Sequence, residues 1–116
     1  MGAAYLLPRV VGLAKATELL YTGDFITAAE AERIGLYNKV VPNDQLSQAT
    51  REFAERLARG PAFALGKTKE MLNREFDMTL DTALEAEAQA QAICMQHPDY
   101  REAYEAFVAK REAKFE

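Results

Sequence analysis

A β-strand must pair with another strand, and this chain offers only one stretch that reads as extended. Leu36, Tyr37, Asn38, Lys39, Val40 and Val41 lie between Gly35 and Pro42. The β-branched pair and those flanks are the marks of a short strand. No second stretch of the kind is visible to complete a sheet. The segment therefore pairs outside the chain or packs as a loop. Elsewhere glycine and proline cut the sequence into pieces whose apolar residues recur at helical spacing. The expected fold class is all-α, mainly helical, with one short extended segment near Tyr37–Val41.

The helices can be bounded from their end signals. Met1 to Arg9 is apolar and expected to be irregular, because Pro8 disfavours a helix running through it. It resembles a stretch cut from a buried region more than a polar, frayed terminus. Gly12 to Leu20 reads as a short helix closed by Gly23. Thr27 and Glu30 form a capping box for a helix that Gly35 stops. Asn43 or Asp44 caps the next helix, which runs to about Arg59 with Leu46, Ala49, Phe53 and Leu57 on one face. Pro61 suits the first position of a following helix. Asp77 or Thr79 opens a long helix to about Gln96, with Leu80, Ala83, Leu84, Ala88, Ala92 and Met95 as its inner face. Pro98 breaks it. Asp99 and Glu102 read as the capping box of a last helix, from Tyr100 to about Arg111. Apolar stripes this narrow, in 116 residues, leave a thin core that a partner surface would complete.

Composition narrows the function. No apolar run approaches the roughly 20 residues of a membrane span. The N-terminus lacks the pattern of a signal peptide. One cysteine and one histidine cannot supply a disulfide framework or a Cys/His metal site of about four ligands. A net charge of −4 is the wrong sign for nucleic acid. The expectation is a soluble, cytoplasmic protein with no metal, no membrane and no nucleic-acid partner.

Local motifs carry little chemistry. Gly60 to Thr68 resembles a phosphate-binding loop, but five residues separate Gly60 from Gly66 where the motif has four. It also follows a helix rather than a strand. Thr27 to Gly35 resembles the start of a helix-turn-helix, yet an extended segment follows where a recognition helix is required. His97 reads as an exposed loop histidine or a cation at a helix end. Cys94 reads as a small core residue. Glu85 and Glu87 are two apart on a helix and do not face each other. No catalytic residue is assigned. Phe107 and Lys110, three apart on the last helix, are more suggestive. An aromatic beside a cation can stack on a base and meet a phosphate. The alternative is a packed Phe107 and a solvated Lys110.

Taken in order, the segments resemble the C-terminal portion of the enoyl-CoA hydratase/isomerase, or crotonase, superfamily. The resemblance is carried by Leu7-Pro8-Arg9-Val10-Val11-Gly12, Glu18 to Gly23, Ile26 to Ala31 and Gly35 to Pro42. It continues through Asp99 to Glu102 and Ala106 to Arg111, and closes on Phe115. Ala103 and Ala113 depart from the family's usual glycine and proline, and alanine costs a helix nothing.

The resemblance implies a C-terminal helical and oligomerisation domain over residues 1–116. It implies that the ββα catalytic core, with its oxyanion hole and acid–base carboxylates, precedes this region and is absent here. The parent would hydrate or isomerise an enoyl-CoA, with the coenzyme A thioester as substrate and no other cofactor. Phe107 and Lys110 would contact coenzyme A. Tyr5, Leu6 and Leu7 would line the acyl pocket. The partners implied are an acyl-CoA and further copies of the chain, as a trimer or dimer of trimers. The chain alone would be inactive. The competing expectation is a stand-alone helical interaction module without catalysis.

Overall fold

The computed structural model describes residues 1–115. Among the described residues there are seven α-helices: α1 Ala3–Val11, α2 Leu13–Thr22, α3 Ala28–Arg33, α4 Leu46–Ala58, α5 Ala62–Arg74, α6 Leu80–Gln96 and α7 Pro98–Ala109. Single 3-10 turns precede α4, at Asn43–Gln45, and follow α5, at Glu75–Asp77. There is no strand among the described residues. The chain divides into two compact units, Met1–Ala49 and the remainder from Thr50, with the division inside α4.

In the first unit α1 packs against α2. The irregular start expected from Pro8 is instead helix α1, with Pro8 inside it. Proline removes one hydrogen bond, the one that would reach the carbonyl of Ala4. Ala4 is exposed, so water can take that bond. Beyond Pro8 the ladder resumes, and Gly12 donates to the Pro8 carbonyl at 3.0 Å. Gly12 alone joins α1 to α2. Its φ of 81° and ψ of 156° belong to a region essentially open to glycine only.

Thr27 caps α3 as the sequence indicates, accepting from the Glu30 N–H at 3.1 Å. The second half of the capping box is used differently. The Glu30 carboxylate grips Arg33 at 2.6 Å and lies 3.7 Å from Lys15 on α2. The Arg33 hydrogen bond, with Lys15 adding to it, holds Glu30 below the usual carboxylate range. The candidate strand is a loop. Leu36 to Asn38 bend, and Lys39 to Pro42 have no regular structure. The Val40 N–H is satisfied by the Glu32 carboxylate at 2.8 Å rather than by a neighbouring strand.

In the second unit α5 packs on α6, and α6 on α7. Pro61 is the N-cap of α5 and Thr79 that of α6. The Gly60–Thr68 stretch is thus a turn and a helix, not a phosphate cradle. A Cβ on Gly60 would stand 3.1 Å from the Leu57 carbonyl, so the turn between α4 and α5 is closely fitted. On α5 the Glu70 carboxylate bonds Lys67 at 2.9 Å and Arg74 at 2.8 Å. The expected inner face of α6 is only partly right. Leu80, Leu84 and Met95 are exposed, Leu80 by 74%. The less exposed line is Ala83, Ala86, Ala90 and Cys94. Small side chains let α6 approach its neighbours closely, and the larger ones point away. Among the described residues the buried hydrophobics are Ala16 and Ala31 in the first unit and Ala106 in the second.

Candidate functional site

Helix α7 presents the residues that the sequence singled out. Its start is set by His97, not by Asp99 and Glu102. The His97 Nδ1 accepts from the Asp99 N–H at 3.3 Å, and Pro98 takes the first helical position. The imidazole stacks on Phe63 of α5, with centroids 4.5 Å apart and planes 5° off parallel. His97 is half-buried rather than exposed in a loop, and it stands at the C-terminal end of α6 with its Nδ1 also 3.3 Å from the Asp99 carboxylate. It caps one helix and joins it to another. Cys94 is half-buried rather than a full core residue. With Pro61, Phe63, His97, Tyr100 and Phe115 it lines a small apolar cavity of about 150 Å³.

The far end of α7 is tighter than expected. The helix stops at Ala109 because Lys110 turns left-handed, at φ 53° and ψ 41°. Lys110 is the one described non-glycine residue with positive φ. Its N–H reaches the Phe107 carbonyl at 3.2 Å, and the Arg111 N–H reaches the Ala106 carbonyl at 3.0 Å. That pair of bonds is a Schellman ending, which usually carries glycine at this position. A lysine there conceals the helix end from a reading based on Gly and Pro.

The Glu102 side chain faces this turn. Arg111 donates to its two oxygens at 2.6 and 2.9 Å, and the Lys114 N–H donates to Oε1 at 2.8 Å. The Arg111 hydrogen bonds first, then the Lys114 N–H, hold the Glu102 carboxyl down at about 2, against an ordinary 4.5. Arg111 is correspondingly raised by Glu102. No motif along the chain announces this fork. A nine-residue separation is no helical spacing, and it closes only because the chain reverses at Lys110.

Phe107 is exposed by 82%, not packed. Lys110 is exposed and makes no ion pair among the described residues. The two sit three residues apart at the helix end. Their aromatic face and ammonium can receive a planar base and an anion. Tyr5, Leu6 and Leu7 lie in the first unit, on α1. Tyr5 and Leu6 are exposed and Leu7 half-buried. The Arg9 guanidinium lies 3.6 Å from the centroid of the Tyr5 ring. Among the described residues no group of three His, Cys, Asp or Glu side chains could hold a metal ion. Among the described residues no helix is long and apolar enough to cross a membrane.

The enoyl-CoA hydratase/isomerase family model matches residues 1–116, and the chain belongs to that family. It is 38% identical over 114 residues to 1,2-epoxyphenylacetyl-CoA isomerase of Escherichia coli K12, covering 98% of this chain and 44% of the relative. It is 39% identical over 114 residues to crotonyl-CoA hydratase of Syntrophomonas wolfei, with the same coverage. Among solved structures it is similar to a Streptomyces coelicolor A3(2) protein provisionally named an enoyl-CoA hydratase. That match has a TM-score of 0.94 and 50% identity, over 99% of this chain and 42% of the other. The chain thus spans less than half the length of these relatives.

Proposed function

We propose that the chain is the C-terminal, helical part of an enzyme that hydrates or isomerises enoyl-CoA thioesters in the cytoplasm. In this reading it supplies oligomer contacts and part of the coenzyme A site, and it is inactive alone. The observation that carries the reading is the exposed Phe107 near the end of α7 with the exposed Lys110 three residues on, in the turn that ends the helix. An adenine can stack on the ring while a phosphate meets the ammonium. Coenzyme A arrives as part of the substrate, so no further cofactor is called for. Tyr5, Leu6 and Leu7 are assigned to the acyl pocket. Successive helical residues point about 100° apart, so the exposed pair, Tyr5 and Leu6, would face the acyl chain.

Large hydrophobics exposed in each unit, Leu13 and Phe25 in the first and Leu72 and Leu80 in the second, support burial against further protein surface, of a catalytic core and of further copies as a trimer or a dimer of trimers.

Coenzyme A titration of the chain and of its Phe107→Ala and Lys110→Ala variants tests the site. Each substitution should weaken binding about tenfold, the loss of one good contact. Unchanged affinity in both would overturn the assignment. Crotonyl-CoA hydration by the pure 116-residue chain would overturn its inactivity. Finding it at the N-terminal side of a longer reading frame would overturn its placement. The exposed stripe of Leu80, Leu84 and Met95 favours a second reading, a helical interaction module. Coenzyme A affinity would then stay absent even when an enzyme core is supplied.

A further inference from the structure

We infer that Glu102, acting through Arg111, is a positioning residue that holds the turn on which Lys110 is presented, three residues after Phe107 of α7. The inference rests on the coenzyme A reading above and deepens it.

A lysine in the left-handed region persists only where its surroundings over-determine it. Two backbone bonds close the turn, from Lys110 to Phe107 and from Arg111 to Ala106. Neither reaches beyond the helix end. Glu102 adds the restraint from outside. Its carboxylate grips Arg111, the residue just after the turn, at 2.6 and 2.9 Å. It also accepts from the Lys114 N–H, farther along the departing chain, at 2.8 Å. The chain after Lys110 is therefore folded back on the helix that precedes it.

The same contact sorts the two adjacent cations. Arg111 has its charge matched by Glu102, in a two-point geometry that a guanidinium favours. Lys110 makes no ion pair among the described residues. An incoming phosphate thus meets Lys110 rather than Arg111. Glu102 is half-buried, whereas Phe107 and Lys110 are exposed.

Nuclear magnetic resonance of the full chain, with and without coenzyme A as the probe, tests this. In Glu102→Gln the backbone coupling of Lys110 should leave its left-handed value, and the Arg111 and Lys114 amides should exchange at least about tenfold faster. Coenzyme A affinity should fall about tenfold in Glu102→Gln, and the further loss should vanish in a Lys110→Ala background. Arg111→Lys, which keeps charge but not the fork, should behave like Glu102→Gln and guards against a misfolded first variant. Unchanged coupling and exchange would overturn the inference. So would an affinity loss of equal size with and without Lys110. A wild-type chain that fails to bind coenzyme A would overturn the coenzyme A reading instead, and the turn measurements would still decide the role of Glu102.

Discussion

Arg111 and Glu102, nine residues apart, meet in a two-point fork at 2.6 and 2.9 Å. The contact closes the chain over the end of α7 just past a left-handed Lys110. It ties the residue just after Lys110 back to α7.

The fork makes the end of α7 sensitive to acid. The Glu102 carboxyl is held at about 2 in the folded chain against an ordinary 4.5. Between those values the unfolded chain binds more protons than the folded one, so stability rises with pH there. The contribution is complete above about 4.5 and is lost as pH falls toward about 2. Glu102→Gln should flatten that part of the pH–stability curve, read from urea midpoints at successive pH values. A curve unchanged in shape would refute it.

Lys110 stands where glycine is preferred. A side chain in the left-handed region costs about 1–2 kcal/mol, and glycine recovers it at some entropic cost in the unfolded chain. Lys110→Gly should therefore raise stability by roughly 0.5–1 kcal/mol, while removing the ammonium and weakening coenzyme A. Lys110→Ala should give no such gain. Melting temperatures of the two variants, set beside their coenzyme A affinities, separate backbone strain from charge.

His97 carries two separable contributions, a cap on the Asp99 N–H and a stack on Phe63. Losing a cap costs about 1 kcal/mol, and losing an aromatic pair about 0.5–1.5 kcal/mol. His97→Ala should cost about 2 kcal/mol in total. His97→Asn keeps a capping side chain and should recover about half of that in denaturant midpoint. Equal losses in both variants would mean that the cap contributes nothing.

The apolar outer stripe of α6 should govern association rather than folding. Leu80 and Leu84 are exposed, so Leu84→Lys should change stability by less than about 0.5 kcal/mol. It should nonetheless shift sedimentation toward smaller species at a given concentration. Unfolding of the variant, or unchanged sedimentation, would show that this face is not used for contact.

The sequence by itself determined every helix but α1, and several of their ends. Gly23, Thr27, Pro61 and Thr79 act locally, through backbone angles and a side-chain oxygen near the first N–H groups. Those causes lie within a few residues of their effects, so they can be read in one dimension. The order of motifs from Leu7 to Phe115 also carried the family. Three features needed the tertiary structure. Pro8 is accommodated in α1 because the carbonyl it deprives is on an exposed residue. His97 caps α7 while Phe63, from another helix, stacks on its ring. Glu102 finds Arg111 only after Lys110 reverses the chain. In each case the deciding partner or surroundings depend on where the backbone goes, and pattern along a sequence does not encode that.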